Sequence, residues 1–219
     1  MGTLSDLWNS LDFSAMLSAL MRLIAVFLCL TVHETCHGLA AYALGDPTAK
    51  REHRLSLNPL HHIDSLRYAC MLVLGFGWAK PVPVDMRYFK KPKQGMALTA
   101  LAGPVSNFVL ALLALLCARL VYHQYGALWD FIFDLLLTTA YLSVGLGLFN
   151  LIPISPLDGS KVLFAFLPDS AYEKLMRYEK YGMIALLILV WLGVGDNVLS
   201  TAIYNVYAAM INFVFRGIV

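Results

Sequence analysis

Two histidines and a glutamate form the most informative pattern in this chain. His33, Glu34 and His37 occur in the pentapeptide HETCH, inside an otherwise apolar run. On an α-helix, residues i and i+4 lie on one face, so both imidazoles can bind one metal ion while the glutamate reaches water at that ion. Two histidines and a general base on one helical turn are typical of zinc hydrolases. The alternative is that the histidines are interhelical hydrogen-bond partners and Glu34 balances their charge.

The composition predicts an integral membrane protein. Of the 219 residues, 59% are hydrophobic and 14% are charged, whereas a soluble domain carries about 25% charged residues. The length predicts one integral-membrane domain over residues 1–219. The net charge of +2 says little by itself, and the absence of a basic tract argues against nucleic acid as a partner. Ionisable groups at membrane depth are costly and usually mark a functional site, which favours the metal-site interpretation of the HETCH motif.

The cysteines do not form a metal or disulfide pattern. Cys29, Cys36, Cys70 and Cys117 are scattered through the chain, and no two of them form a C-x-x-C pair. Neither a disulfide framework nor a cysteine zinc site is therefore indicated. Cys36 lies inside the HETCH motif, where we expect it to pack as a small hydrophobic residue.

Long apolar stretches predict a polytopic helix bundle. A transmembrane helix needs about 20 mostly apolar residues, and five stretches are candidates: 14–44, 96–118, 135–157, 181–195 and 197–215. The last two are interpreted as a hairpin. Residues 65–84 are apolar but rich in glycine and proline, which favours a re-entrant loop or a short β segment. The predicted fold class is therefore an all-α membrane protein with about five to six transmembrane helices.

Basic residues in the connecting segments predict the orientation in the membrane. Residues 46–67, 79–95 and 158–180 are rich in lysine and arginine, which places them in the cytoplasm. Residues 119–130 carry one basic residue and should lie outside. Five spans then place the N-terminus outside and Arg216 inside, with the histidine motif toward the cytoplasmic side.

Asp158 is the candidate for a third metal ligand. It follows two prolines in the segment FNLIPISPLDG, residues 149–159. Because proline lacks an N–H and disfavours helical geometry in the residue before it, a helix must open here. The carboxylate is then presented at the depth of the histidine pair, and an aspartate oxygen is a normal zinc ligand at about 2.0–2.2 Å. The alternative is that Asp158 marks the membrane boundary and caps the next helix.

The two motifs together resemble the site-2 protease family of intramembrane zinc metalloproteases. The resemblance extends through most of the chain, in the family's order, to the segments GDPTAK (45–50), LNPL (57–60), FGWAKPVPV (76–84) and LAGPVSN (101–107). These segments resemble the small bacterial branch that has no PDZ domain. Glu52, His53 and Ser155, and the pair at 67–68, depart from the usual pattern, but none of them removes a ligand. The resemblance implies that His33, His37 and Asp158 bind one Zn²⁺ ion and that Glu34 is the catalytic base.

The resemblance also implies an activity and a location. We expect an endopeptidase that cuts single-pass membrane proteins or signal-peptide remnants, often in regulated proteolysis, in the bacterial inner membrane. Asn107 and Asn150 lie on motif segments and are candidates for binding the substrate backbone or the oxyanion; the alternative for each is an interhelical hydrogen bond. The rival functions are a catalytically silent scaffold of the same fold and a metal transporter, which would need polar groups continuing to the outer face.

Overall fold

The computed structural model describes residues 12–56, 58 and 82–217, and within them it is helical with no β-strand. The predicted all-α class is thus confirmed for this part of the chain. A short 3₁₀ turn, Met86–Tyr88, precedes the third helix. The helices in chain order are α1 Phe13–Ala43, α2 Thr48–Arg51, α3 Pro92–Val121, α4 Ala127–Asn150, α5 Asp158–Phe164, α6 Asp169–Arg177, α7 Glu179–Trp191 and α8 Asp196–Val214.

Helix α1 carries the HETCH motif in its last third. It begins after Asp12, whose Oδ1 accepts hydrogen bonds from the backbone N–H groups of Ser14 and Ala15 at 3.0 and 3.1 Å. This is an N-cap that satisfies two otherwise unpaired donors. At 1.5 Å per residue, its 31 residues extend roughly 46 Å, longer than the hydrocarbon core of about 30 Å. Gly45 then turns the chain with a φ of +107°, which a residue with a Cβ rarely adopts.

Helix α3 runs antiparallel to both α1 and α4 and lies between them. His37 contacts Thr99 whereas His33 contacts Asn107, so the two helices run in opposite directions. On the other side, a Cβ on Gly147 would lie 3.3 Å from the Pro104 carbonyl. Small residues at such interfaces allow helix backbones to approach closely in a membrane.

The far end of the bundle, away from the histidines, has an apolar core made by α3, α4 and α8. Its buried members are mostly small residues: Ala111, Ala114, Leu115, Ala118, Ala140, Val144, Val214 and Phe215. Because lipid is as apolar as these side chains, close van der Waals packing rather than the hydrophobic effect holds this end together.

The predicted count of five to six transmembrane helices is not confirmed. Among the described residues, α1, α3 and α4 are long and apolar enough to span a membrane, and the count reaches four if α7 and α8 together form one span. These two are not a hairpin, because they meet at 86°. Helix α7 has 13 residues, which is shorter than the roughly 20 that a span needs.

The end of α8 corrects the predicted topology. Arg119, near the end of α3, donates a hydrogen bond to the Val214 carbonyl, and the rings of Tyr122 and Phe215 are 5.8 Å apart. The C-terminal end of α8 therefore lies beside the connection 122–126. The prediction that Arg216 and this connection lie on opposite sides of the membrane is therefore wrong. It depends on α7 being a full span, which its length does not allow.

The predicted helix opening before Asp158 is confirmed. Helix α4 ends at Asn150 and α5 begins at Asp158. Gly159 packs directly on the intervening segment, because a Cβ there would lie 2.7 Å from the Ile152 carbonyl oxygen and would overlap the Leu151 carbonyl. Helix α4 begins at Ala127, eight residues before the predicted span. The predicted apolar stretch excludes Asp130 and Asp134, whereas the helix includes both.

Most of the predicted re-entrant or β segment, residues 65–81, lies outside the described residues. Its last residues, 82–84, have no regular secondary structure. The Val82 N–H donates to Glu34 Oε2 at 3.1 Å, and the Asp85 N–H donates to the buried carboxylate of Asp46 at 2.7 Å. Residues 82–85 are therefore anchored along the end of α1. Hydrogen bonds from the Arg87 side chain lower the pKa of Asp85 to about 2, so this carboxylate stays ionised.

Candidate metal centre and active site

His33, His37 and Asp158 converge on one point. The His33 Nε2 lies 3.0 Å from the His37 Nε2 and 3.1 Å from Asp158 Oδ2, and the His37 Nε2 lies 3.2 Å from that same oxygen. All three residues are buried. Two nitrogens and one carboxylate oxygen at these separations suit a single ion with metal–ligand bonds of about 2 Å. The donor set and its spacing therefore fit zinc.

Two helices supply these three groups. The histidines are one turn apart on α1, as their i,i+4 spacing predicts. Asp158 is the first residue of α5, and no side chain caps that helix. Its carboxylate contacts the two imidazoles instead of a helix N-terminus, so the capping alternative does not describe its position.

Helix α3 holds the opposite edge of both imidazoles through two residues that lie eight positions apart. The His37 Nδ1 lies 2.7 Å from the Thr99 carbonyl oxygen, and the His33 Nδ1 lies 3.1 Å from Asn107 Nδ2. Gly103 lies between them, where a Cβ would be 2.6 Å from the His33 Cε1 and would overlap the His37 ring. The absence of a side chain at Gly103 thus lets α3 approach the rings closely enough to contact them.

Glu34 lies beside the triad without joining it. The three-residue cluster that could hold a metal consists of His33, His37 and Asp158. Glu34 is partly buried, and its Oε2 accepts a hydrogen bond from the Val82 N–H at 3.1 Å. A carboxylate that lies beside the three candidate ligands and is held by one oxygen has the position expected of a general base.

A cavity of about 320 Å³ opens onto these groups. Its lining residues combine the predicted site with apolar and polar neighbours: His33, Glu34, His37, Val82, Val84, Met96, Thr99, Ala100, Asn150, Pro156, Asp158 and Lys161. Such a concave site with a few convergent polar groups is typical of a substrate pocket.

The two candidate amides lie in different environments. Asn150 lines the cavity, and its Nδ2 donates to the Leu146 carbonyl oxygen at 3.0 Å, so its second N–H has no partner in the described part of the chain. Asn107 is fully buried at 0% exposure and contacts His33 instead of the cavity. The sequence pattern alone does not separate these two positions, since both are amides in apolar helices.

Known proteins resemble this chain in sequence. A family profile described as Peptidase family M50 matches residues 119–193. YwhC of Bacillus subtilis, named as a zinc metalloprotease, is 39% identical over 181 residues, covering 80% of this chain and 82% of its own length. The chain belongs to peptidase family M50, the site-2 protease family. The predicted family, the zinc metalloprotease class and the zinc cofactor are thereby confirmed.

More distant M50 relatives agree with this membership. Rip2 of Mycolicibacterium smegmatis, also named as a zinc metalloprotease, is 28% identical over 167 residues, covering 74% of this chain and 62% of that protein. The zinc metalloprotease MJ0392 of Methanocaldococcus jannaschii is 33% identical over 78 residues, covering 36% of this chain and 22% of that protein. No solved structure gives a significant match to the chain.

Sequence reasoning missed three residues of this M50 site. Thr99, Gly103 and Asn107 follow one another at intervals of four residues. This spacing predicts that they share one face of a helix, the face that contacts the histidines. Lys161 lines the cavity and lies three residues after Asp158, so the spacing places it on the same face of α5. Lys161 has no hydrogen-bond or ion-pair partner in the described part of the chain.

Proposed function

We propose that this M50 protein is an intramembrane zinc endopeptidase that hydrolyses peptide bonds within or near transmembrane segments of single-pass membrane proteins. One observation carries the proposal. Two imidazoles on α1, a helix long enough to span a membrane, meet the carboxylate that begins the short helix α5, and a glutamate lines the same cavity. Signal-peptide remnants are included in this substrate class, and regulated proteolysis is the process that such cleavage would serve.

The proposed ligands are His33, His37 and Asp158. When bound there, zinc supplies a Lewis acid for the scissile carbonyl and lowers the pKa of its water ligand toward 7. The protein holds the imidazoles in place through Thr99 and Asn107, each of which contacts an Nδ1 atom. Outer contacts of this kind orient histidine ligands in metal sites.

Glu34 is the proposed general base. Its Oε2 is held by the Val82 N–H, whereas its Oε1 has no partner among the described residues. Glu34 takes a proton from the attacking water as the new C–O bond forms, and it delivers a proton to the amine nitrogen as the peptide C–N bond breaks. A fixed carboxylate loses little freedom when it performs these two transfers.

The substrate must unwind locally before it can be cut. In a transmembrane helix each backbone carbonyl is hydrogen-bonded, and an unsatisfied polar group in lipid costs several kcal/mol. The position of Asn150 in the cavity wall, with one N–H donated to the Leu146 carbonyl, supports a role for its second N–H in binding an exposed carbonyl. We therefore expect glycine or proline in a substrate span to speed cleavage and a poly-leucine span to resist it.

The proposed orientation places the active site toward the cytoplasm. Lys50 contacts Tyr42 at the end of α1, and Lys90 lies just before α3, so both mark the site end of the bundle. Single cysteines at these positions should react only with a reagent supplied from the cytoplasmic side. Labelling of both from outside would reverse the orientation, and labelling from opposite sides would contradict the antiparallel pairing of α1 and α3.

Metal analysis combined with a cleavage assay tests the proposed function. The purified wild-type protein should contain one zinc per chain and cut a model single-pass substrate in bilayers, whereas Glu34→Gln should keep the zinc and lose the cleavage. Zinc without any cleavage of helix-broken substrates would favour the silent scaffold. Zinc transport across sealed vesicles would favour the transporter, although the core at the far end of the bundle is apolar.

A further inference from the structure

Asn107 is a buried polar residue beside the candidate metal site. It is 0% exposed, and its Nδ2 lies 3.1 Å from the Nδ1 of His33. Its Oδ1 is buried without a hydrogen-bond partner among the described residues. Its backbone carbonyl accepts a hydrogen bond from Ser143 on α4 at 2.8 Å, so the residue also contacts a third helix.

The chemistry of His33 decides which end of this amide must face it. A neutral imidazole carries one proton, so the nitrogen that binds a metal leaves the proton on the other nitrogen. The Nε2 of His33 faces Asp158 and His37, which makes Nδ1 the protonated nitrogen when Nε2 is a ligand. A protonated Nδ1 must donate, and the Nδ2 of Asn107 is itself only a donor.

Rotation of the amide by half a turn resolves this conflict. The two ends of an asparagine amide are nearly the same size, so the rotation requires no extra space. It places Oδ1 within hydrogen-bonding distance of the His33 Nδ1–H. In either orientation one end of the amide is paired and the other lacks a partner among the described residues, so the number of hydrogen bonds does not decide the orientation.

We propose that Asn107 is a positioning residue that selects the metal-binding tautomer of His33, with its Oδ1 accepting a hydrogen bond from the His33 Nδ1–H. The Thr99 carbonyl, which can only accept, performs the same task for His37 at 2.7 Å. One face of α3 therefore presents two acceptors to the two imidazoles, with Gly103 between them. This inference rests on the proposed ligand set, and it replaces the substrate-contacting role considered for Asn107.

Three variants separate an acceptor role from packing. Asn107→Leu has a similar volume but cannot accept a hydrogen bond, whereas Asn107→Asp keeps the shape and can only accept. Ser143→Ala is the matched control, because it loses the hydroxyl that contacts the Asn107 backbone without touching His33. Zinc affinity is measured on the full-length protein in detergent by competition with a chelator, and thermal unfolding of the zinc-depleted forms monitors the fold.

We expect Asn107→Leu to weaken zinc binding 10- to 100-fold, the effect of losing an outer partner of a histidine ligand. Asn107→Asp should bind zinc within a factor of about three of wild type or more tightly, because a carboxylate accepts from a ligating histidine in many zinc sites. Ser143→Ala should bind zinc as wild type does. The unfolding temperature of the zinc-depleted Asp variant should show that the fold is retained.

Two results would overturn the proposal. One is wild-type zinc affinity in Asn107→Leu. The other is a loss of zinc affinity of about 10-fold or more, relative to wild type, in a folded Asn107→Asp protein, since this would mean that His33 needs a donor or a neutral neighbour. The second result decides the matter even if the Leu variant does not fold. If the wild-type protein binds no zinc, or Asp158→Ala binds it equally well, the proposed ligand set fails instead.

Discussion

Helix α3 is one helix with two different halves. Its N-terminal half presents Thr99, Gly103 and Asn107 to the two imidazoles of α1. Its C-terminal half presents buried Ala114 and Leu115 to α4 and α8. Small residues allow close approach in both halves, but the first half contributes polar contacts to the histidines. The second half contributes packing, together with the hydrogen bond from Arg119 to the Val214 carbonyl.

The two halves of α3 therefore have different roles: the first supports the candidate metal site, and the second supports the stability of the bundle. Changes in the first half act on the orientation of the histidines, so they should alter metal binding and cleavage more than they alter folding. Changes in the second half remove packing that no catalytic group depends on directly. We expect each half to respond to a different measurement, and the following variants are ordered by their expected effect on cleavage.

Gly103→Ala should have the largest effect. Its new Cβ would overlap the His37 ring and lie 2.6 Å from the His33 Cε1, and both rings are already held by Asp158 and α3. We expect zinc content to fall to the detection limit and cleavage to fall at least about 10³-fold, because the metal contributes several kcal/mol of transition-state stabilisation. Zinc analysis and a single-pass substrate assay measure this.

Gly145→Ala is the matched control for this change. A Cβ at Gly145 would lie 3.6 Å from the nearest atom, Ile203 Cδ1, which is an ordinary contact. This variant should retain zinc and near-normal cleavage. Equal losses in both variants would mean that any added methyl on these helices is harmful and that Gly103 has no special relation to the site.

Glu34→Gln should reduce cleavage by about 10²–10⁴-fold, the usual contribution of a general acid–base group. Glutamine keeps the shape of the side chain and can still accept the Val82 N–H, but it cannot take a proton from water. Zinc content and the unfolding temperature should stay at wild-type values. Near-normal turnover by a zinc-loaded Glu34→Gln protein would rule out the base assignment.

Asn150→Ala should reduce cleavage less, by roughly 10- to 100-fold, somewhat below the effect of removing an oxyanion-hole donor. Its cavity-facing N–H is proposed to bind substrate, so the zinc content should not change. The loss should be larger for a poly-leucine span than for one containing glycine or proline. An equal loss for both substrates would argue against a role in holding the unwound segment.

Leu115→Ala tests the other half of α3. Leu115 is fully buried in the apolar core, and such truncations cost about 2–5 kcal/mol in the free energy of unfolding. Cleavage per folded, zinc-loaded molecule should change by less than a factor of about two, because distant sites act independently. Chemical unfolding and active-site-normalised turnover distinguish the two effects, and a selective loss of zinc here would contradict the division of α3.

The sequence predicts the local parts of the site better than the way the helices assemble. The i,i+4 spacing of His33 and His37 and the two prolines before Asp158 act over a few residues, so the helix face and the helix opening follow directly. The role of Gly103 depends on which helix packs against α1, and hydrophobicity alone does not give that. Hydrophobicity also cannot show how α7 is arranged. An apolar run of its length is compatible with a membrane span and with a short helix that is bent sharply away from α8.

X-ray absorption at the zinc edge of the purified protein tests the ligand assignment most directly. We expect one zinc per chain with only nitrogen and oxygen neighbours near 2.0–2.1 Å, including two imidazoles, and loss of that spectrum in Asp158→Ala. A sulfur neighbour near 2.3 Å would implicate Cys36 in the HETCH motif. Such a sulfur signal, or an unchanged zinc site in Asp158→Ala, would contradict the assignment of His33, His37 and Asp158 as the metal ligands.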